Sequence, residues 1–113
     1  MPYISVVTPT YNEEENIVEL CNAVQKVFKE VGYDYEHIII DNSSKDSTVS
    51  KVKSLILQNP SIKLIVNDKN YGHLLSPVHG IKQTSGDATI LINADFQDPP
   101  ELIKKLIILR KFL

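Results

Sequence analysis

Four short apolar runs punctuate the chain: Ile4 to Thr8, His37 to Ile40, Ile62 to Val66 and Ala88 to Ile92. Each is nearly continuous and rich in Ile or Val, with little alternation of polar residues. That pattern predicts strands covered on both faces, as in a parallel sheet. Between them the spacing turns helical. Ile17, Leu20, Cys21, Val24, Val27, Phe28 and Val31 fall along one stripe of a first helix. A second helix carries Val49, Val52, Leu55 and Ile56, with Ser44 or Asp46 as its N-cap and a stop at Asn59-Pro60. A third is expected from Tyr71 to Thr84, interrupted near its start by Pro77, and a fourth begins after Pro99-Pro100. Strand and helix therefore alternate along the chain. The expected fold is α/β: a Rossmann-like, open, mostly parallel sheet with helices on both faces.

Ligands of such sheets sit beyond the carboxyl ends of the strands, at the topological switch point. Three polar segments occupy those ends: Pro9 to Glu15, Asp41 to Asp46, and Asn93 to Asp98. In the first, Asn12 can cap the following helix, and Glu14 and Glu15 suit its positive end. Tyr11 has a different use, because a ring at the mouth of a strand can stack on a flat base or close over the core. In the second, Asp41 follows Ile38-Ile39-Ile40 directly and can accept hydrogen bonds from a base or a ribose, whereas Asp46 belongs to an ordinary turn. In the third, Asn93, Asp95 and Gln97 point the same way if the backbone stays extended. Hard cations such as Mg²⁺ take oxygen donors of this kind, completed by phosphate and water. A diphosphate against Asp41 and Asp95 would be repelled by roughly 1–4 kcal/mol per close charge pair. A dication between them reverses the sign.

Composition narrows the choice. The 113 residues are 42 % apolar and 23 % charged, which suits one globular domain with a true core. Twelve basic against fourteen acidic residues leave a net charge of −2, so a nucleic acid gripped through its phosphates is not the expected partner. The single cysteine, Cys21, excludes an internal disulfide and lies in the apolar stripe, where it reads as a small buried residue. The first residues lack the basic and apolar blocks of a signal peptide, and no apolar stretch reaches the roughly 18 residues of a membrane span. The expected location is cytoplasmic, with room for a peripheral membrane association. His73 and His79, six residues apart, do not share a helical face and form no metal pair. There is no Gly-x-Gly-x-x-Gly or P-loop sequence.

Taken together, Ser5-Val6-Val7-Thr8-Pro9-Thr10-Tyr11-Asn12-Glu13-Glu14, the Asp41 turn ending at Thr48, and Gly86-Asp87 with Asn93-Ala94-Asp95 resemble family 2 glycosyltransferases. The run Asp95-Phe96-Gln97-Asp98-Pro99-Pro100-Glu101 is most similar to the dolichol-phosphate mannose synthase-like, polyprenyl-phosphate branch. The resemblance implies a GT-A fold, a nucleotide-diphosphate sugar as donor and Mg²⁺ or Mn²⁺ as cofactor. It implies that Pro9, Tyr11 and Glu13 border the nucleotide, with Asp41 and Asn42 nearby. Asp95 and Gln97 would contact the metal, and Asn93 stands where the Asp-x-Asp motif has its first acid. Asn42 likewise replaces a frequent second Asp, so each site keeps an oxygen and loses a charge. The acceptor implied is a polyprenyl phosphate. Such enzymes continue well past the Asp-x-Asp strand, so residues 1–113 are expected to be the donor-binding part, without the acceptor half and without an assignable catalytic base. The apolar segment from Leu102 to Leu113 would then pack on a missing part, on a second subunit or, less favourably, on a membrane surface. The rival reading is a non-catalytic assembly module derived from such a domain. A receiver-type phosphoacceptor fold ranks lower because its fifth-strand Lys is missing.

Overall fold

The structure is a computed structural model and describes residues 3–68 and 87–94. Strand β1 spans Tyr3–Thr10, helix α1 Ile17–Val31, β2 Asp34–Asp41, α2 Thr48–Gln58, β3 Ile62–Val66 and β4 Ala88–Leu91. The four strands form one sheet in the order β3-β2-β1-β4, and every pairing is parallel. The α/β class and the parallel sheet expected from the apolar runs are thus present. The third and fourth helical segments, with His73, His79, Asp95, Gln97 and the apolar C-terminal stretch, lie outside the described residues.

Alternation along the strands sorts side chains into two layers. Ile4 and Val6 of β1 pack with Leu20, Val24, Val27 and Phe28 of α1, and Ile92 and Ala94 close the same cluster. Ile39 and Ile62 pack with Ile17 and Cys21 of α1 and Val52 of α2. Both described helices therefore cover one face of the sheet. Val7, Ile38 and Ile40 face the other way. All the buried residues of α1 belong to the predicted stripe, and the helix ends where Gly32 takes a left-handed φ of 73° and returns its N–H to the Phe28 carbonyl. Phe28 also stacks on Tyr35 with ring centroids 4.4 Å apart. Burial raises the Cys21 thiol pKa to about 12, so it acts as an apolar filler and not as a nucleophile.

Several boundaries differ from the sequence expectation, β1 running on to Thr10 and β4 stopping at Leu91 among them, and two show why. Strand β2 starts at Asp34, well before the predicted His37, and so includes Glu36. A buried carboxylate is affordable there because Lys63 Nζ donates to Glu36 Oε1 at 2.6 Å and the Ser5 hydroxyl donates to Oε2. The Glu36 hydrogen bond raises the Lys63 pKa against the opposing effect of burial. Helix α2 starts at Thr48 with Ser47 at the N-cap position, not Ser44 or Asp46. Asp46 nevertheless serves that end, since its Oδ1 accepts from the Thr48 N–H at 2.9 Å.

His37 is fully buried on the helix-covered layer, and its Nε2 meets the Thr8 hydroxyl at 2.8 Å. Its Nδ1 has no partner among the described residues. A neutral ring in the Nε2–H tautomer leaves only a lone pair unpaired there, whereas an imidazolium would bury a charge and an orphaned donor. Burial accordingly lowers the His37 pKa from 6.5 to about 3. The unfolded chain takes up this proton below pH 6.5 and the native chain does not, so stability falls as the pH drops through that window. The Asp46 pKa is lowered from its ordinary 3.8 and that of Lys63 raised from its ordinary 10.5, so neither intrudes. Urea unfolding is expected to show a loss of about 2 kcal/mol between pH 7 and pH 5. His37→Gln should abolish most of that loss, and equal pH dependence in both proteins would contradict the assignment.

Candidate functional site

The sheet reverses direction at β1. From β1 the chain moves outward through β2 to β3, then returns to place β4 on the opposite flank of β1. At such a reversal of strand order a crevice lies beyond the carboxyl ends of the two strands that flank it, here β1 and β4. Register sets its walls. Val7 pairs with Leu91, and the Ile92 N–H donates to the Val7 carbonyl at 3.0 Å, which brings Asn93 beside Pro9. On the other side Thr10 pairs with Asp41, and the Asn42 N–H donates to the Thr10 carbonyl at 2.8 Å. The result is a cleft of about 170 Å³ lined by Pro9, Thr10, Tyr11, Glu13, Asn42, Asn93 and Ala94.

Five of the residues singled out in the sequence, Pro9, Tyr11, Glu13, Asn42 and Asn93, thus share one cleft. Tyr11 is 43 % exposed, a large ring held at the mouth. Asp41 does not line it. It is fully buried, and its carboxylate is occupied: Oδ1 accepts from Thr10 Oγ1 at 3.0 Å and from Ser44 Oγ at 2.5 Å, and Oδ2 accepts from the Ser44 N–H at 2.8 Å. Asp41 is a bracket behind the wall. The strand alternation invoked for Asn93, Asp95 and Gln97 stops early, since β4 ends at Leu91 and Ala94 is in a turn. Asp95 and Gln97 lie outside the described residues.

What holds the cleft is a set of hydrogen bonds between the β1–α1 and β2–α2 loops. The Asn12 N–H donates to Ser44 Oγ and the Lys45 N–H to Asn12 Oδ1, both at 2.9 Å. The Glu13 N–H donates to Thr48 Oγ1 at 2.9 Å, and the Glu14 N–H to Asp46 Oδ2 at 3.3 Å. In return the Ser47 N–H donates to Glu14 Oε2 at 3.1 Å, and Lys51 Nζ to the Glu14 carbonyl at 2.8 Å. Asn12 therefore clamps the neighbouring loop and does not cap α1, where Asn16 holds the N-cap position. Its φ of 53° suits Asn, a residue that tolerates the left-handed region. Glu14 likewise serves the loops, and Glu19 is the acidic residue in the first turn of α1. Burial alone would raise the Asp46 pKa, but hydrogen bonds from the Thr48 hydroxyl and the Thr48 and Glu14 amides hold it below the ordinary value. Asn67 escaped sequence reasoning, and Thr48 entered it only as the end of the Asp41 turn, without a role. Their signal was faint, a hydroxyl and an amide just beyond the polar turns.

A larger cavity of about 650 Å³ opens at the amino ends of the strands, bordered by Tyr3, Phe28, Tyr33, Tyr35 and Asn59 among others. It lies away from the switch point and receives none of the strand-end polar segments, so the smaller cleft is the better candidate.

The chain belongs to the glycosyl transferase family 2, whose family model matches residues 5–109. It is 38 % identical over 104 residues to a dolichol-phosphate mannosyltransferase of Pyrococcus furiosus, a match covering 92 % of this chain and 29 % of that protein. Among solved structures it is similar to TarS 1–349 of S. aureus in complex with UDP, with a TM-score of 0.70 and 27 % identity over 84 % of this chain and 28 % of that one. It shares its fold with a mannosyltransferase from Pyrobaculum calidifontis in complex with GDP-Man and Mn²⁺, with a TM-score of 0.62 and 20 % identity over 83 % and 28 % of the two chains. The chain thus spans about a third of the length of the curated relatives it matches. No described helix is long and apolar enough to cross a membrane.

If Thr48 is the rivet between the two loops, Thr48→Val keeps the shape but removes the acceptor of the part-buried Glu13 N–H and one bond to Asp46. The expected cost is roughly 1–3 kcal/mol in urea unfolding. An unchanged midpoint would show that the loops hold without it.

Proposed function

We propose that the cleft receives the base of a nucleotide-diphosphate sugar, and that the chain is the donor-binding part of a glycosyltransferase. The observation that carries this reading is the convergence of Pro9, Tyr11, Glu13, Asn42 and Asn93 at the switch point, with an exposed ring at the mouth. The volume of about 170 Å³ suits one planar base, since sites for whole ligands usually reach 300 Å³ or more. UDP in the TarS complex, at 27 % identity, supports a nucleotide as the ligand. Tyr11 would stack on the base, and Asp41 would act from behind by fixing Thr10 and Ser44.

The donor's diphosphate calls for a divalent cation, Mg²⁺ or Mn²⁺. Asn93 supplies a hard amide oxygen at the cleft, while no group of three His, Cys, Asp or Glu gathers among the described residues. The remaining ligands would be Asp95 and Gln97. Bound there, the cation would offset the diphosphate charge and stabilise the nucleotide as leaving group. The acceptor suggested by the dolichol-phosphate relative is a polyprenyl phosphate, which would bring the protein to a membrane surface.

Thermal-shift titration with UDP-, GDP- and dTDP-sugars in Mn²⁺ separates this reading from a non-catalytic assembly module, which would show no shift with any of them. Tyr11→Ala should weaken nucleotide binding by about 1–3 kcal/mol while leaving the melting point nearly unchanged, because the ring is half out of the core. Restoring the missing charge with Asn93→Asp should tighten Mn²⁺ binding by calorimetry. No gain in affinity would count against Asn93 as a metal contact.

A further inference from the structure

Asn42 forms one wall of the cleft yet is only 6 % exposed. Its backbone is pinned by the bond from its N–H to the Thr10 carbonyl. Its side-chain oxygen is also committed, because Asn67 Nδ2 donates to Asn42 Oδ1 at 2.9 Å in a buried contact. Asn67 is itself fixed: it is 6 % exposed, and its N–H continues the β2–β3 ladder by donating to the Asp41 carbonyl at 2.8 Å. Asn42 Nδ2, by contrast, makes no hydrogen bond among the described residues. With the oxygen turned to Asn67, Nδ2 is the amide atom left to meet a ligand in the cleft that Asn42 lines.

We propose that Asn42 is a fixed hydrogen-bond donor for the base edge, oriented by Asn67, and that it selects a base with a carbonyl at pyrimidine C4 or purine C6 over one with an amino group at that position. This rests on reading the cleft as a base pocket. A uracil, thymine or guanine carbonyl accepts from Nδ2. Cytosine or adenine would set an NH₂ against the Asn42 NH₂, two donors with no acceptor between them in a poorly hydrated wall. Sites built around a specific hydrogen bond discriminate strongly against the analogue that cannot make it. A carboxylate at position 42 would accept from Asn67 equally well and offer the cleft no donor. The loss of charge at this position is thus a change of polarity in what the base meets. Asn67 never reaches the cleft lining and acts as a positioning residue.

The test is calorimetric titration of the full chain, in Mn²⁺, with UDP against CDP and GDP against ADP. Each pair has the same ring and phosphates and differs at the base edge. The oxo member should bind about tenfold or more tightly in at least one pair. Asn67→Asp provides a group that can only accept, so the Asn42 NH₂ turns to it and the carbonyl faces the cleft; the preference should vanish or reverse. Asn42→Asp should abolish the preference while keeping the contact to Asn67, with thermal melting as the check on folding. Equal affinities within both pairs, or a preference that survives both substitutions, would overturn the proposal while leaving the base pocket standing. Failure of all four nucleotides to bind would remove the base pocket and this inference with it.

Discussion

The hydrogen bonding between the two loops at the carboxyl end of the sheet is the constraint on which the rest depends. A parallel sheet delivers its strand ends to one rim, but it does not fix the loops that follow. Here Asn12, Glu13 and Glu14 on one loop interlock with Ser44, Asp46, Ser47 and Thr48 on the other. Asp41 joins strand and turn beneath them. The arrangement brings Tyr11 and Asn42 to one cleft, and Asn93 enters from the far side of β1 through the β1–β4 register. Backbone N–H groups that would otherwise point at solvent are consumed by short polar side chains. A ligand meeting this rim therefore finds a preformed surface and need not order it.

Much of the fold was legible because its signals are local. The α1 stripe from Ile17 to Phe28 names that helix's core residues, and the Ile and Val runs locate all four described strands. What the sequence concealed was long-range compensation. Glu36 breaks the apolar pattern of β2, and the approach of Lys63 and Ser5 from neighbouring strands lets it be buried there. The start of α2 was misplaced for a related reason. Ser44 and Asp46 both look like caps, but Ser44 is taken by Asp41 and Asn12, so the helix begins beyond them.

The site was legible by type more than by role. Polar residues at three strand ends pointed to the rim, and five of them share the cleft. Asp41 stood out in the sequence as a carboxylate at the end of a buried strand, but burial and three hydrogen bonds make it a support. Asn12 read as a cap and is a clamp. Roles of this kind follow from which loop lies alongside, and that depends on strand order, which periodicity does not encode. Membership of the glycosyl transferase family 2 gives the cleft its chemical context.

The central claim is that the interlocked loops, and not the larger cavity at the opposite end of the sheet, form the donor site. Amide NMR during titration with UDP or GDP in the presence of a divalent cation tests this directly. The account predicts that shifts concentrate at Tyr11, Glu13, Asn42, Ser44 and Asn93. Shifts centred on Tyr33, Tyr35 and Asn59, with the strand-end loops silent, would contradict it.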